Sequence, residues 1–305
     1  MMIDVPNADD FRLAGTDFLN MAWEAIVDLS LSLTIDPMLR INDDEEIQYW
    51  RTAQRPLSTA LSLVQQGTEF LLKGHIADIS PYLLLSGDWS KTRERFSECK
   101  TIEAQDLIVA YNVIKSNRLP DEFIRRYNQL RSQRNTIMHT VDPQSRDHQY
   151  IKPKDLLVDI PEVCHHLISP KCWIEVHKSF IDRKPSSILY GSENVQANLM
   201  IEMDHVIKLL KPSEIKKYFD FDKDQRCYIC PNCYKEASDD LTDNVPKLSQ
   251  LRPNTPDSNS VYCFICNQVS SVIRKDCENR DKDCLGNVIS ADENWCLTCM
   301  EYQSC

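Results

Sequence analysis

Residues 127–141 read YNQLRSQRNTIMHTV, and the register of their apolar side chains decides the fold class. On a helical wheel Phe123, Tyr127, Leu130, Ile137 and Val141 fall within a sector of roughly 80°, with Arg134 in its middle. That is the period of a helix with one buried face. A guanidinium stands where a leucine is expected, and its burial is costly unless a partner or a bound anion compensates. Arg134 is therefore expected to have a specific job. His139 follows five residues later, and Asn135 stands directly after the arginine.

Helical patterns continue on both sides of this stretch. One is expected from about Asp9 or Asp10 to Leu33, carrying Phe11, Phe18, Trp23, Ile26, Leu29 and Leu33. A second runs from Pro56 to Ile79 with Leu57, Leu61, Val64, Leu71 and Ile79 as its stripe. A third covers Glu103 to Ile114, and Pro120-Asp121-Glu122 opens the helix that carries Arg134, with proline and acids where a helix start prefers them. Four such helices make a compact bundle. Between the first two, Pro37 and the acidic run Asp43 to Glu46 break the pattern, and the run reads as a solvated face. His75 reads as a hydrogen-bonded core histidine. Glu69 pairs with Lys73 at i,i+4, or compensates Arg134 if their helices are neighbours.

Composition agrees with a helical chain. Only 6 glycines occur in 305 residues, which leaves little material for the turns of an all-β or Rossmann fold. A net charge of −11 argues against a broad phosphate-binding surface, so any nucleic-acid contact must be local. No apolar run is long enough to span a membrane, and no secretory leader precedes the acidic N-terminus. A cytoplasmic, soluble protein is expected. Further helices are expected over Leu156–Leu167, Trp173–Ile181 and Val195–Leu210. Cys164, His165, His166, Cys172 and His177 among them have no ligand-like spacing and read as structural.

The end of the chain changes character. Ten of the 13 cysteines lie between Cys227 and Cys305. Cys230-Pro-Asn-Cys233 and Cys263-Phe-Ile-Cys266 are two CxxC knuckles about thirty residues apart, as in a zinc ribbon. Cys277, Cys284 and the knuckle Cys296-Leu-Thr-Cys299 supply a second site. Two structural zinc ions per chain are expected, each closed by four thiolates, with Cys227 an alternative to Cys230. Asn267 after the second knuckle tolerates the positive φ that glycine usually supplies there, whereas Tyr234 after the first does not. Leu248 to Ser260 is expected to be a flexible loop.

The string Arg134-Asn135-x-x-x-His139 resembles the R-x(4–6)-H motif of the HEPN (higher eukaryotes and prokaryotes nucleotide-binding) superfamily, over roughly the first 145 residues. The resemblance implies a HEPN-like helical domain over 1–147; with the helical extension that the apolar patterns place over 148–222 and the zinc-ribbon-like α+β domain that the cysteine spacing places over 223–305, a mainly α chain is expected. The resemblance also implies a metal-independent endoribonuclease giving 2′,3′-cyclic phosphate and 5′-hydroxyl ends, used as a toxin or in anti-phage defence. Arg134, Asn135 and His139 would be catalytic and Arg126 and Arg131 would bind RNA. On a regular helix Arg134 and His139 diverge by about 140°, and a homodimer with paired motifs removes that difficulty. The zinc-binding part would recognise RNA or a regulatory protein partner. The alternative is a non-catalytic HEPN-like nucleotide-binding, RNA-binding or adaptor protein. A zinc-ribbon DNA-binding regulator is disfavoured by the acidic charge.

Overall fold

The computed structural model describes residues 2–33, 42–87, 95–139, 150–185, 193–237, 245–279 and 284–304. The chain divides into two units, Met1–Cys172 and Trp173–Cys305. It is mainly helical, with a small antiparallel sheet near the C-terminus. No described helix is long and apolar enough to cross a membrane.

In the first unit α1 (Ala8–Ser32) begins on a capping box. The Asn7 side chain accepts from the N–H groups of Asp9 and Asp10, and Asp10 accepts from the Asn7 N–H. A second box, between Asn42 and Glu45, starts α2 (Asp43–Thr52), which buries none of its residues. The acidic run is thus the first turn of an exposed helix, where acids complement the helix dipole. The break expected there lay in the loss of apolar period, which an exposed helix does not need.

The next helix, α3 (Gln54–Ala77), is the centre of the unit and packs against α1, α4 (Ala104–Ile114), α5 (Asp121–His139) and α6 (Pro153–Leu167). Leu57, Leu61, Val64 and Leu71 are fully buried, as their stripe predicts. Ile79 is not, because it follows the helix end. Glycine serves close helix packing here. A Cβ on Gly15 would lie 2.9 Å from Leu71 Cγ, one on Gly67 2.8 Å from the Gly15 carbonyl, and one on Gly74 3.2 Å from the Ala8 carbonyl. Residue 8 beside 74 and residue 15 beside 67 make α1 and α3 antiparallel at short range. His75 is a core histidine, its Nε2 2.7 Å from the Leu167 carbonyl and its ring edge-on to Tyr111.

The second unit holds α7 (Trp173–Asp182), α8 (Glu193–Leu209), α9 (Pro212–Phe219) and α10 (Pro231–Ala237). The extension expected over 148–222 is therefore divided: α6 packs on α1 and α3, while α7 to α9 belong with the sheet. Periodicity shows that a helix has an apolar face but not which neighbour covers it. The sheet runs β1 (Cys227–Tyr228), β2 (Ser249–Leu251), β3 (Ser260–Cys263), β4 (Gln268–Ile273) and β5 (Ile289–Ser290) in spatial order, every neighbour antiparallel. The pairings Ser249 to Cys263 and Cys263 to Gln268 fix the second knuckle at the β3–β4 turn. Beneath lies an apolar cluster including Tyr228, Ile229, Val261, Val272, Val288 and Leu297. Leu248 to Leu251 are buried and 249–251 form β2, so the expected loop shrinks to 252–259.

Candidate metal centres and the Arg134–His139 helix

Two four-cysteine clusters stand in the second unit. Cys230, Cys233, Cys263 and Cys266 form one; Cys277, Cys284, Cys296 and Cys299 form the other. Within each, all sulfurs lie within 4.8 Å of one another. Cys230–Cys266 and Cys233–Cys263 stand 3.6 Å apart, Cys277–Cys299 3.6 Å and Cys284–Cys296 4.0 Å. A tetrahedron with metal–sulfur bonds of ~2.3 Å has sulfur–sulfur edges of about 3.8 Å. The clusters therefore have the dimensions of closed tetrahedral thiolate sites and can hold metal ions.

The surroundings suit thiolates. Backbone N–H groups of Cys233, Asn279 and Gly286 point at the sulfurs of Cys230, Cys277 and Cys284 at 3.3–3.5 Å, and Gln303 Nε2 lies 3.6 Å from Cys277 Sγ. Such donors favour the ionised form. Hydrogen bonds from Cys230, Cys233 and Cys263 hold the Cys266 thiol below its ordinary range, while burial pushes Cys263 well above it. Four sulfurs this close ionise together only around a cation. A Cβ on Gly286 would lie 2.5 Å from Cys296 Sγ and 3.1 Å from Cys284 Sγ, so only glycine leaves the second cluster room.

Local backbone explains each knuckle. Asn267 has φ of +55°, the left-handed turn expected of it. Tyr234 needs none, because Pro231 begins α10 and the Tyr234 N–H donates to the Cys230 carbonyl, so the knuckle continues as a helix. After Cys299, Met300 takes φ of +66°. Cys227 stands outside both clusters in β1, and its Sγ donates to the Gln225 carbonyl. Cys305 lies outside the described residues. Among the described residues no cluster includes Cys164, His165, His166, Cys172 or His177; His177 is buried against Glu202, 3.0 Å away, and stacks on Trp173.

In the first unit α5 runs unbroken to His139. Phe123, Tyr127 and Leu130 are buried, Arg134 and Ile137 are half-buried, and Asn135 and His139 are exposed. Val141 lies outside the described residues. Burial declines along the helix, so water reaches Arg134 and solvates it. Among the described residues no hydrogen bond or ion pair joins Arg134 to another side chain, and the possible pairing with Glu69 is not formed. Glu69 instead accepts from Gln65 Nε2 at 3.1 Å. Burial and then the charge of Glu69 push the Tyr127 phenol up, while its OH donates to the Ala104 carbonyl at 2.6 Å.

Arg126 departs most from its expected role. Its Nε and Nη2 donate to the two carboxylate oxygens of Asp159 on α6 at 2.6 and 2.5 Å. Burial works against its charge, yet Asp159 outweighs it and holds Arg126 above its ordinary value. The fork expected to meet phosphate is engaged inside the protein. Asp159, 5% exposed, was not singled out from the sequence; an acid flanked by Leu157, Val158 and Ile160 is the signal that could have marked it. Arg131 is half-buried beside Tyr127. Compared with protein-family models, curated proteins and solved structures, the chain matches none.

Proposed function

We propose that the chain is a metal-independent endoribonuclease of HEPN type, a toxin or anti-phage effector, whose C-terminal clusters bind two structural zinc ions. The observation that carries the reading is the end of α5, where Asn135, directly after the half-buried Arg134, and His139, four residues further on, share an exposed face. His139 would exchange protons with the ribose 2′-hydroxyl or the leaving 5′-oxygen, and Arg134 would donate to the phosphate oxygens. Asn135 would orient the imidazole. Because α5 is regular, a second copy related by a two-fold axis brings one chain's arginine toward the other's histidine. The thiolate sites are closed and serve folding and recognition, with no step of the chemistry passing through them.

A non-catalytic, RNA-binding or adaptor role draws support from one feature, the engagement of Arg126 by Asp159. Incubation of the purified chain with RNA in a chelator separates the two. Cleavage leaving 2′,3′-cyclic phosphate and 5′-hydroxyl ends is expected, and its loss in His139→Ala and Arg134→Ala. Wild-type cleavage by either folded variant, or none by the parent, removes the nuclease reading. Light scattering is expected to find a dimer.

A further inference from the structure

The second cluster takes its ligands from two stretches of chain, Cys277 and Cys284 after β4, and Cys296 and Cys299 after β5. Residues 301–304 are bonded to both. On the later stretch, the Cys296 N–H donates to the Glu301 carbonyl and the Gln303 N–H to the Asn294 carbonyl, each at 2.9 Å. Asn294 Nδ2 donates back to the Gln303 carbonyl at 2.7 Å. On the earlier stretch, the Ser304 N–H donates to the Glu278 carboxylate at 2.9 Å and the Glu278 N–H to Gln303 Oε1 at 2.7 Å.

Glu301, Tyr302 and Ser304 are exposed, whereas Gln303 is 6% exposed. Its Nε2 is shared between the Glu301 carbonyl at 2.8 Å and Cys277 Sγ at 3.6 Å. Both ends of the buried amide are thus engaged, one by a backbone N–H and the other by a carbonyl and a ligand sulfur. At the first cluster, the Cys233 N–H points at Cys230 Sγ and the Gln268 backbone donates to Cys266. Those donors are part of the knuckles themselves. The Gln303 donor is lost if its own segment lifts.

Four thiolates around a divalent ion carry a net charge of about −2, which N–H donors offset. We propose that residues 301–304 are a clasp on the second metal site, with Gln303 a positioning residue that holds Cys277 and so sets how fast an ion there exchanges. This role requires that the clusters hold ions, but not that the chain is a ribonuclease.

The test uses the full-length chain loaded with zinc and mixed with excess chromophoric chelator, and the same chain loaded with Co²⁺ for its absorption spectrum. Gln303→Glu keeps the side chain's shape and the acceptor for Glu278 but sets an oxygen beside the sulfur; Gln303→Met removes both contacts. Asn294→Gly suits the positive φ of that position, +54°, and loses the Nδ2 bond to the clasp. In all three, one ion is expected to leave about tenfold faster or more, the size of effect found for outer-sphere partners, and the other at the parent rate. Mass spectrometry of alkylated peptides should assign the faster loss to Cys277 through Cys299. In both Gln303 variants the sulfur-to-cobalt charge-transfer band should also move to lower energy, because the lost N–H no longer stabilises the thiolate lone pair; loss of packing alone would not move it. The unchanged ion and circular dichroism confirm the fold. A parent chain with no ion in the second cluster fails the metal reading and takes the clasp with it. With both ions bound, parent release rates in Asn294→Gly overturn the clasp, and an unmoved band or equal acceleration of both ions in the Gln303 variants overturns the positioning role.

Discussion

The two units are held together by different means. Around α3 the first unit buries long aliphatic side chains, and its helices approach closely because Gly15, Gly67 and Gly74 leave no Cβ between them. The sheet of the second unit has short strands of two to six residues and one small apolar cluster. A sheet that small is marginal alone. What it has in addition are eight cysteines whose sulfurs are spaced as in tetrahedral thiolate sites, several accepting N–H hydrogen bonds. The first unit thus rests on area removed from water, while the second, whose helices also bury apolar side chains such as Leu199, Met203 and Val206, has in its sheet thiolate groups that would add bonds once an ion is bound.

Metal removal should break this comparison open, with the largest effect. Structural zinc contributes roughly 10–16 kcal/mol of apparent binding free energy in small thiolate domains, as much as the ~5–15 kcal/mol stability of a whole domain. A strong chelator, or Cys263→Ser, is expected to abolish amide-exchange protection across β1 to β5 while α1, α3 and α6 keep theirs. Metal analysis of the untreated chain should return two ions. Equal loss of protection in α3 would show that the units do not differ in this way.

These two means of stabilisation differ in how openly the sequence displays them. Thiolate ligands must occupy adjacent tetrahedral positions, so CxxC spacing is a local signature, and all eight expected cysteines come together in the two clusters. Helix periods were equally local, and α1, α3, α4 and α5 lie close to where their stripes put them. Pairings between distant elements left no such mark. Nothing near Arg126 announces Asp159, 33 residues away, and nothing in the pattern of α6 says that it belongs with α1 and α3. The exposed α2 has no apolar period and was signalled only by Asn42 and Glu45. As for Arg134, the wheel described its angle correctly but could not show that burial fades toward the end of α5.

An intermediate effect is expected from the largely buried ion pair of Arg126 with Asp159 that ties α5 to α6. Arg126→Ala leaves the Asp159 carboxylate buried without its partner, which costs about 3–5 kcal/mol. The unfolding midpoint of the first unit should fall while the bound metal stays constant. Replacing both residues by apolar ones of similar size, Arg126→Met with Asp159→Leu, should recover most of the loss, because neither charge then has to be desolvated. If Arg126→Ala instead changed RNA cleavage without changing stability, the arginine would be acting at the site and not in the packing.

The smallest effects come from placing the same methyl group in each unit. In Gly67→Ala the new Cβ meets the Gly15 carbonyl at 2.8 Å and Leu19 Cγ at 2.9 Å. Helix backbones must separate slightly, at a cost of about 1–3 kcal/mol for overpacking, offset by the ~1 kcal/mol that alanine gains over glycine inside a helix. A net loss near 1 kcal/mol is expected, confined to the first unit. In Gly286→Ala the methyl lies 2.5 Å from Cys296 Sγ, a sulfur that a bound ion would hold fixed. Relief must then come from the coordination geometry, and disturbance of this kind typically costs about 10–100-fold in metal affinity. Competition with a chromophoric chelator should find one of the two ions released more easily and the other unchanged, with no shift in the unfolding of α1 to α6. Equal weakening of both ions, or a stability loss in the helical unit, would mean that the two clusters and the helical core are not the independent elements their geometry implies.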